Sequence, residues 1–168
     1  MNCLFLPSGQ APQAEAAATA VYLVPEALSS ASVTAPASVN LGSATPGSTT
    51  TVQLGQVKVT SSNQMRWTAT VSATDFTTGR GSAAETIARG NLSYWSGPAV
   101  SKSGPGTFSP GQPTAASKVA LDIARTAFSY ASVSPSGTSC VWQPTLVMSV
   151  PASAVAGTYT GTVTHSVA

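Results

Sequence analysis

Charge is what this sequence has least of. Asp, Glu, Lys and Arg make up 7% of its 168 residues, against about a quarter in ordinary soluble domains. Helices laced with surface ion pairs are therefore not expected. The seven basic residues, Lys58, Arg66, Arg80, Arg89, Lys102, Lys118 and Arg125, never adjoin one another. A nucleic-acid partner calls for a clustered basic patch, and no linear run supplies one. There is one histidine, His165, and the five acids Glu15, Glu26, Asp75, Glu85 and Asp122 form no close pair. A metal site draws on several His, Cys or carboxylate ligands, so no metal and no cofactor is expected. No apolar run approaches the roughly 18 residues of a spanning helix, so no membrane span is expected.

Cysteine is also scarce. Cys3 and Cys140 are the two present. A bridge between them is compatible with a secreted chain. The other reading leaves Cys140 as a free thiol near a turn. Residues 1–20 lack a basic n-region, and Cys3-Leu4-Phe5-Leu6 is short for an export h-region, although Ala14–Ala20 resembles the small-residue end of one. Residues 1–20 are read as a flexible leader or residual export segment, and 21–168 as a single domain.

What the sequence does have is Ser, Thr, Gly and Pro around short apolar runs. Trp67, Ala69, Val71 and Ala73 alternate with Thr68, Thr70 and Ser72. That period of two defines a strand with one dry face. Tyr159, Gly161, Val163, His165 and Val167 repeat the pattern opposite a row of threonines. Further strands are read at 50–54 and 57–60 around a bend at Gly55, at 92–95, at 127–133 and at 140–150. The turn Ser134-Pro135-Ser136-Gly137 separates the last two, and Pro144 places part of 140–150 on an edge or bulge. Residues 101–114, with three Gly and three Pro, read as a long loop, and 115–125 as a strand or a short helix. Short strands at regular spacing between turn clusters describe an all-β, Ig-like antiparallel β-sandwich with long loops. Its expected core is Trp67, Val71, Trp142, Leu146 or Val147, Tyr159 and Val163. The Tyr159 hydroxyl, at a corner after Pro151 and Gly157, is expected to bond to main chain within 152–157.

Catalytic patterns are missing. There is no G-x-S-x-G elbow and no Ser three residues before a Lys. A hydrolase would need a cleft gathering at least two of Asp75, Glu85, Asp122 and His165. Asp75 reads instead as a turn cap. His165 reads as a partly buried or rim residue, and Asn91-Leu92-Ser93 as a chance sequon. Among the aromatics, Tyr94 and Trp95 are neighbours on one strand, so they face opposite ways. One of them should point outward, beside a loop, as a contact for a glycan or a protein.

The strand 66–77 and the C-terminal strand 156–167 resemble the two motif strands of the WxL family, Gram-positive surface proteins with a β-rich domain carrying two Trp-x-Leu motifs. The likeness spans about residues 33–168 and extends to secreted actinobacterial relatives. Trp67-Thr68-Ala69 and His165-Ser166-Val167 stand where the family has Trp-x-Leu. The resemblance implies a secreted, non-enzymatic adhesion module at the cell surface or cell wall. It implies non-covalent association with peptidoglycan or partner surface proteins. It places Trp67 and His165 beside Trp95 and Tyr94 as candidate binding residues, and it expects the two motif strands to lie close together. The alternative is a pilin-like or surface-layer-like subunit assembling by strand addition, with Val21–Val24 as donor strand.

Overall fold

Alternating hydroxyl and apolar side chains give a ribbon with one wet and one dry face, and two sheets stack their dry faces to exclude water. In the computed structural model the described residues are 2–7, by their backbone, and 31–168. The donor segment 21–24 and the remainder of 8–30 lie outside them.

The strands in chain order are β1 (Asn2–Pro7), β2 (Ala31–Thr34), β3 (Ser38–Ala44), β4 (Thr49–Gln53), β5 (Val57–Ala73), β6 (Phe76–Thr77) and β7 (Thr86–Ile87). They continue as β8 (Leu92–Trp95), β9 (Ala99–Ser103), β10 (Thr107–Pro110), β11 (Val119–Ala120), β12 (Arg125–Trp142), β13 (Thr145–Ser149) and β14 (Tyr159–Val167). The main path of the larger sheet is β10-β12-β5-β14-β1-β3, and the smaller sheet runs β11-β8-β13-β4. Pairing is antiparallel except between β1 and β3. Among the described residues no α-helix forms, and three short 3-10 turns are the sole helical pieces. The fold is thus all-β and sandwich-like. Within the stretch read as a leader, residues 2–7 form a strand between β14 and β3.

The dry faces meet in one core. Trp67, Ala69, Val71 and Ala73 are buried, as are Tyr159, Val163 and Trp142. Leu146 and Met148 point inward and Val147 does not. A row of register partners, Phe108, Tyr130 and Trp67, crosses three neighbouring strands. Tyr130 stacks on Trp67 at 5.8 Å and lies 4.8 Å from Phe108. Aromatic pairs of this kind stabilise a sheet by about 0.5–1.5 kcal/mol each beyond burial.

Several expectations need correcting. Ser134-Pro135-Ser136-Gly137 does not end a strand. β12 runs through it, and the register against β5 slips between Ala131 and Ser136. The slip is a bulge in the pairing of the two long strands, with Asn63 at φ 76° on the β5 side. Residues 101–114 are not one loop either. β9 and β10 lie end to end along β12, and Gly104-Pro105-Gly106 steps over the bulge between them. The Tyr130 hydroxyl donates to Pro105 O at 2.6 Å and holds that step in place. Proline and glycine punctuated a broken edge strand here, because β12 supplied the partner that local chain could not. At 115–125 a 3-10 turn precedes the two-residue β11, and Ile123 is exposed. Cys140 is a free thiol, buried in β12 between β5 and β9 rather than near a turn, and burial pushes it up to about 11. The disulfide reading is thereby set aside.

Gly55 makes the bend between β4 and β5 at φ +80°, and a side chain there would meet Pro36 Cγ at 2.6 Å. The Tyr159 corner forms as expected: its hydroxyl is 3.0 Å from Val155 O, and 3.0 Å from Ala84 O as well. The single hydroxyl proton is shared between these carbonyls, which ties the start of β14 to the 3-10 turn at Ala83–Glu85. Replacing Tyr159 with phenylalanine is expected to lower stability by about 1–2 kcal/mol. Urea unfolding measures it, and an unchanged midpoint would show that the corner contributes nothing.

Candidate functional site

β8 carries two of the candidate residues, and its pleat sends them opposite ways. Tyr94 is buried in the core, whereas Trp95 is half-buried on the outer face of the smaller sheet. Trp67 and His165 are on β5 and β14, which are adjacent. His165 faces Val71 and Val167 faces Ala69 in the register. The two motif-like strands are therefore direct neighbours. Both key side chains point inward, with Trp67 2% and His165 6% exposed.

Tyr94 and His165 meet across the sandwich, and Trp142 joins them. Trp142 Nε1–H donates to the Tyr94 hydroxyl at 3.2 Å, and that hydroxyl lies 3.1 Å from His165 Nε2. Indole N–H can only donate. The Tyr94 oxygen therefore accepts from Trp142, and turning its own proton to His165 Nε2 strands fewer buried groups than the reverse, which would leave that proton unpaired in the core. In that arrangement His165 is the neutral Nδ1–H tautomer, and its buried Nδ1 has no hydrogen-bond partner among the described residues. The rings pack as well: Tyr94 lies 5.7 Å and Trp142 6.2 Å from His165, with Phe128 stacked on Trp142 at 5.1 Å. Burial pushes His165 down from 6.5 to about 3 and pushes the Tyr94 hydroxyl well above its usual range. Trp67 belongs to the other aromatic row, and its Nε1–H donates to Thr138 Oγ1 at 3.1 Å.

Trp95 is the candidate whose ring reaches the surface. Its position is set by a clasp on the next residue. Ser96 Oγ donates to Gln112 O at 3.0 Å, and Gly97 N–H donates to the same carbonyl at 3.0 Å. Gln112 Nε2 donates to Thr126 O, which anchors the clasp to β12. On the sheet face, Trp95 is the register partner of Thr145, which in turn faces Gln53. Trp95 Nε1 and Thr145 Oγ1 are both enclosed with no hydrogen-bond partner among the described residues. None of the residues in β4, β8, β11 and β13 is charged.

The acids engage locally. Asp122 pairs with Arg125 at 2.7 Å, which holds its carboxyl below the usual range. Glu85 accepts from Ser82 N–H at 3.0 Å, and that bond lowers it too. Asp75 Oδ1 accepts from Arg89 N–H at 2.8 Å, a longer-range contact than the turn cap expected of it. No hydrogen bond or ion pair joins these three to one another or to His165 among the described residues. Nor do the described residues gather three or more His, Cys, Asp or Glu at a metal-holding distance.

Fold and site together define a two-sheet all-β domain with a buried Trp–Tyr–His bridge and one half-exposed tryptophan on an uncharged sheet face. Compared with protein-family models and with curated proteins, the chain matches none. Among the described residues no helix is long and apolar enough to cross a membrane.

Proposed function

We propose that the chain is a secreted, non-enzymatic binding module that associates non-covalently with the cell envelope, through peptidoglycan or partner surface proteins, and that Trp95 is its contact. The observation that carries this reading is the outer face of the smaller sheet. An indole ring lies there among Thr, Ser and Gln side chains with no charge in any of the four strands. A sugar ring stacks its C–H face on an indole while its hydroxyls bond to hydroxyl and amide side chains, which is the combination present here. Rotation of Trp95 would also free its own N–H and Thr145 Oγ1, the donor and acceptor that have no partner among the described residues. Trp67, Tyr94 and His165, enclosed in the core, enter this reading as the framework that holds β8 in place.

Purified Gram-positive cell walls provide the test. The protein is expected to co-sediment with them, and Trp95→Ala is expected to weaken retention about tenfold, the equivalent of about 1.4 kcal/mol. Circular dichroism checks that the variant keeps its fold. Wild-type protein that stays in the supernatant, or a Trp95→Ala protein retained equally well, rejects the proposal.

A further inference from the structure

Every sheet edge offers unpaired backbone groups to another strand, and natural proteins guard such edges with charge, proline, bulges or brevity. Most edges here are guarded. β9 and β10 carry Lys102 and Pro110. β3 turns at Gly42, φ +78°. β7 and β11 are two residues long, and β2 is four. β4 is the exception: Thr49-Thr50-Thr51-Val52-Gln53 is uncharged, unbulged, free of proline and rich in β-branched residues. Among the described residues it pairs with β13 alone.

The register shows which groups are left over. Val150 N–H donates to Ser48 O at 2.8 Å, and Leu54 N–H donates to Pro144 O at 2.8 Å. Antiparallel bonding alternates along a strand. The even-numbered residues from 48 to 54 thus bond inward to β13, and Thr49, Thr51 and Gln53 point their N–H and C=O groups out of the sheet. This outward set is symmetric about Thr51.

We propose that β4 pairs antiparallel with β4 of a second copy of this chain, on a two-fold axis through Thr51. Thr51 then exchanges both backbone bonds with its own counterpart, and Thr49 faces Gln53 of the other copy. The two four-stranded sheets join into one continuous sheet. An antiparallel strand is its own complement under a two-fold, and with no charge in either sheet the copies meet without repulsion. The contact closes on itself, so it yields a dimer and not the open ladder of a strand-adding polymer. Five residues a side fall short of the roughly 800 Å² per partner of a standard interface, so the dimer is weak and concentration-dependent. The inference is independent of envelope binding.

Cysteine scanning in a Cys3→Ser background tests it, since the one other thiol, Cys140, is buried. In a bonded antiparallel pair facing Cα atoms are about 5.5 Å apart, inside the roughly 4.4–6.8 Å span of a disulfide. Thr51→Cys is expected to oxidise to a covalent dimer at high protein concentration. Thr49→Cys, equally exposed, would sit about 14 Å from its counterpart at 3.4 Å per residue, and is expected to stay monomeric. Sedimentation velocity on the unaltered chain should show the mass rising from 16.7 kDa towards twice that value with concentration. Thr51→Pro removes an N–H that β13 does not use, and Thr51→Lys sets two like charges face to face; both should abolish the rise. Wild-type protein that stays monomeric throughout, equal crosslinking of the two cysteine variants, or dimerisation surviving both Thr51 substitutions would overturn the proposal.

Discussion

Acidification from pH 6.5 to pH 3 is expected to remove about 4 kcal/mol of stability through His165 alone. In the unfolded chain the imidazole takes up a proton near 6.5, whereas in the fold burial delays this to about 3. Above 6.5 both states hold a neutral ring, and the histidine gives no pH dependence. Below it the unfolded state binds a proton that the folded state refuses, so stability falls with pH until the folded ring is itself protonated. The site offers no relief for the charge. Its one hydrogen-bond partner among the described residues is the neutral Tyr94 hydroxyl, and Tyr94 and Trp142, whose rings pack against the imidazole, supply no negative group. Denaturant titrations at pH 7 and pH 4.5, compared between the protein and a His165→Gln variant, isolate the effect. The protein should lose about 3 kcal/mol more than the variant over that interval. Glu85 and Asp122, whose lowered carboxyls also destabilise the fold in acid, are common to both and cancel. Parallel pH profiles for the two would contradict a neutral, enclosed His165.

Tyr94→Phe should be nearly as damaging at neutral pH, with a loss of about 3 kcal/mol although one oxygen atom is all that leaves. The ring fills the same space, so no cavity opens. What disappears is the single group that satisfies both Trp142 Nε1–H and His165 Nε2. A buried polar group left unpaired costs about 1–3 kcal/mol, and here there are two. The contrast with Tyr159 is informative: its hydroxyl bonds to backbone carbonyls at the rim, where water replaces it at lower cost. Urea unfolding of the two phenylalanine variants side by side checks the order. If Tyr94→Phe is no worse than Tyr159→Phe, the bridge across the sandwich is not the feature holding the sheets in register.

How far the chain could be read without coordinates varies from residue to residue. Trp67, Ala69, Val71 and Ala73 announced their dry face because alternation is a local consequence of the pleat. The Tyr159 corner was legible because proline and glycine place the turn immediately before it. Pairs such as Tyr94 and Trp95 could be split into inside and outside, but not assigned, since periodicity carries no sign. The bulge at 131–136 resembled a turn because Ser, Pro and Gly serve both purposes, and only the length of β5 alongside it shows that the strand continues.

The Trp142–Tyr94–His165 bridge had no sequence signal at all. Its members are 48 and 71 residues apart along the chain, and two of them carry ordinary strand patterns. Period-two patterning and scarcity of charge determined, unaided, that this protein is all-β with hydroxyl-rich outer faces. Which strands became neighbours, that His165 met a hydroxyl inside the core, and that β4 pairs with β13 alone among the described residues were decided by tertiary structure. Those outcomes depend on how two sheets stack and which backbone groups find partners, and both are long-range properties that a local repeat does not encode.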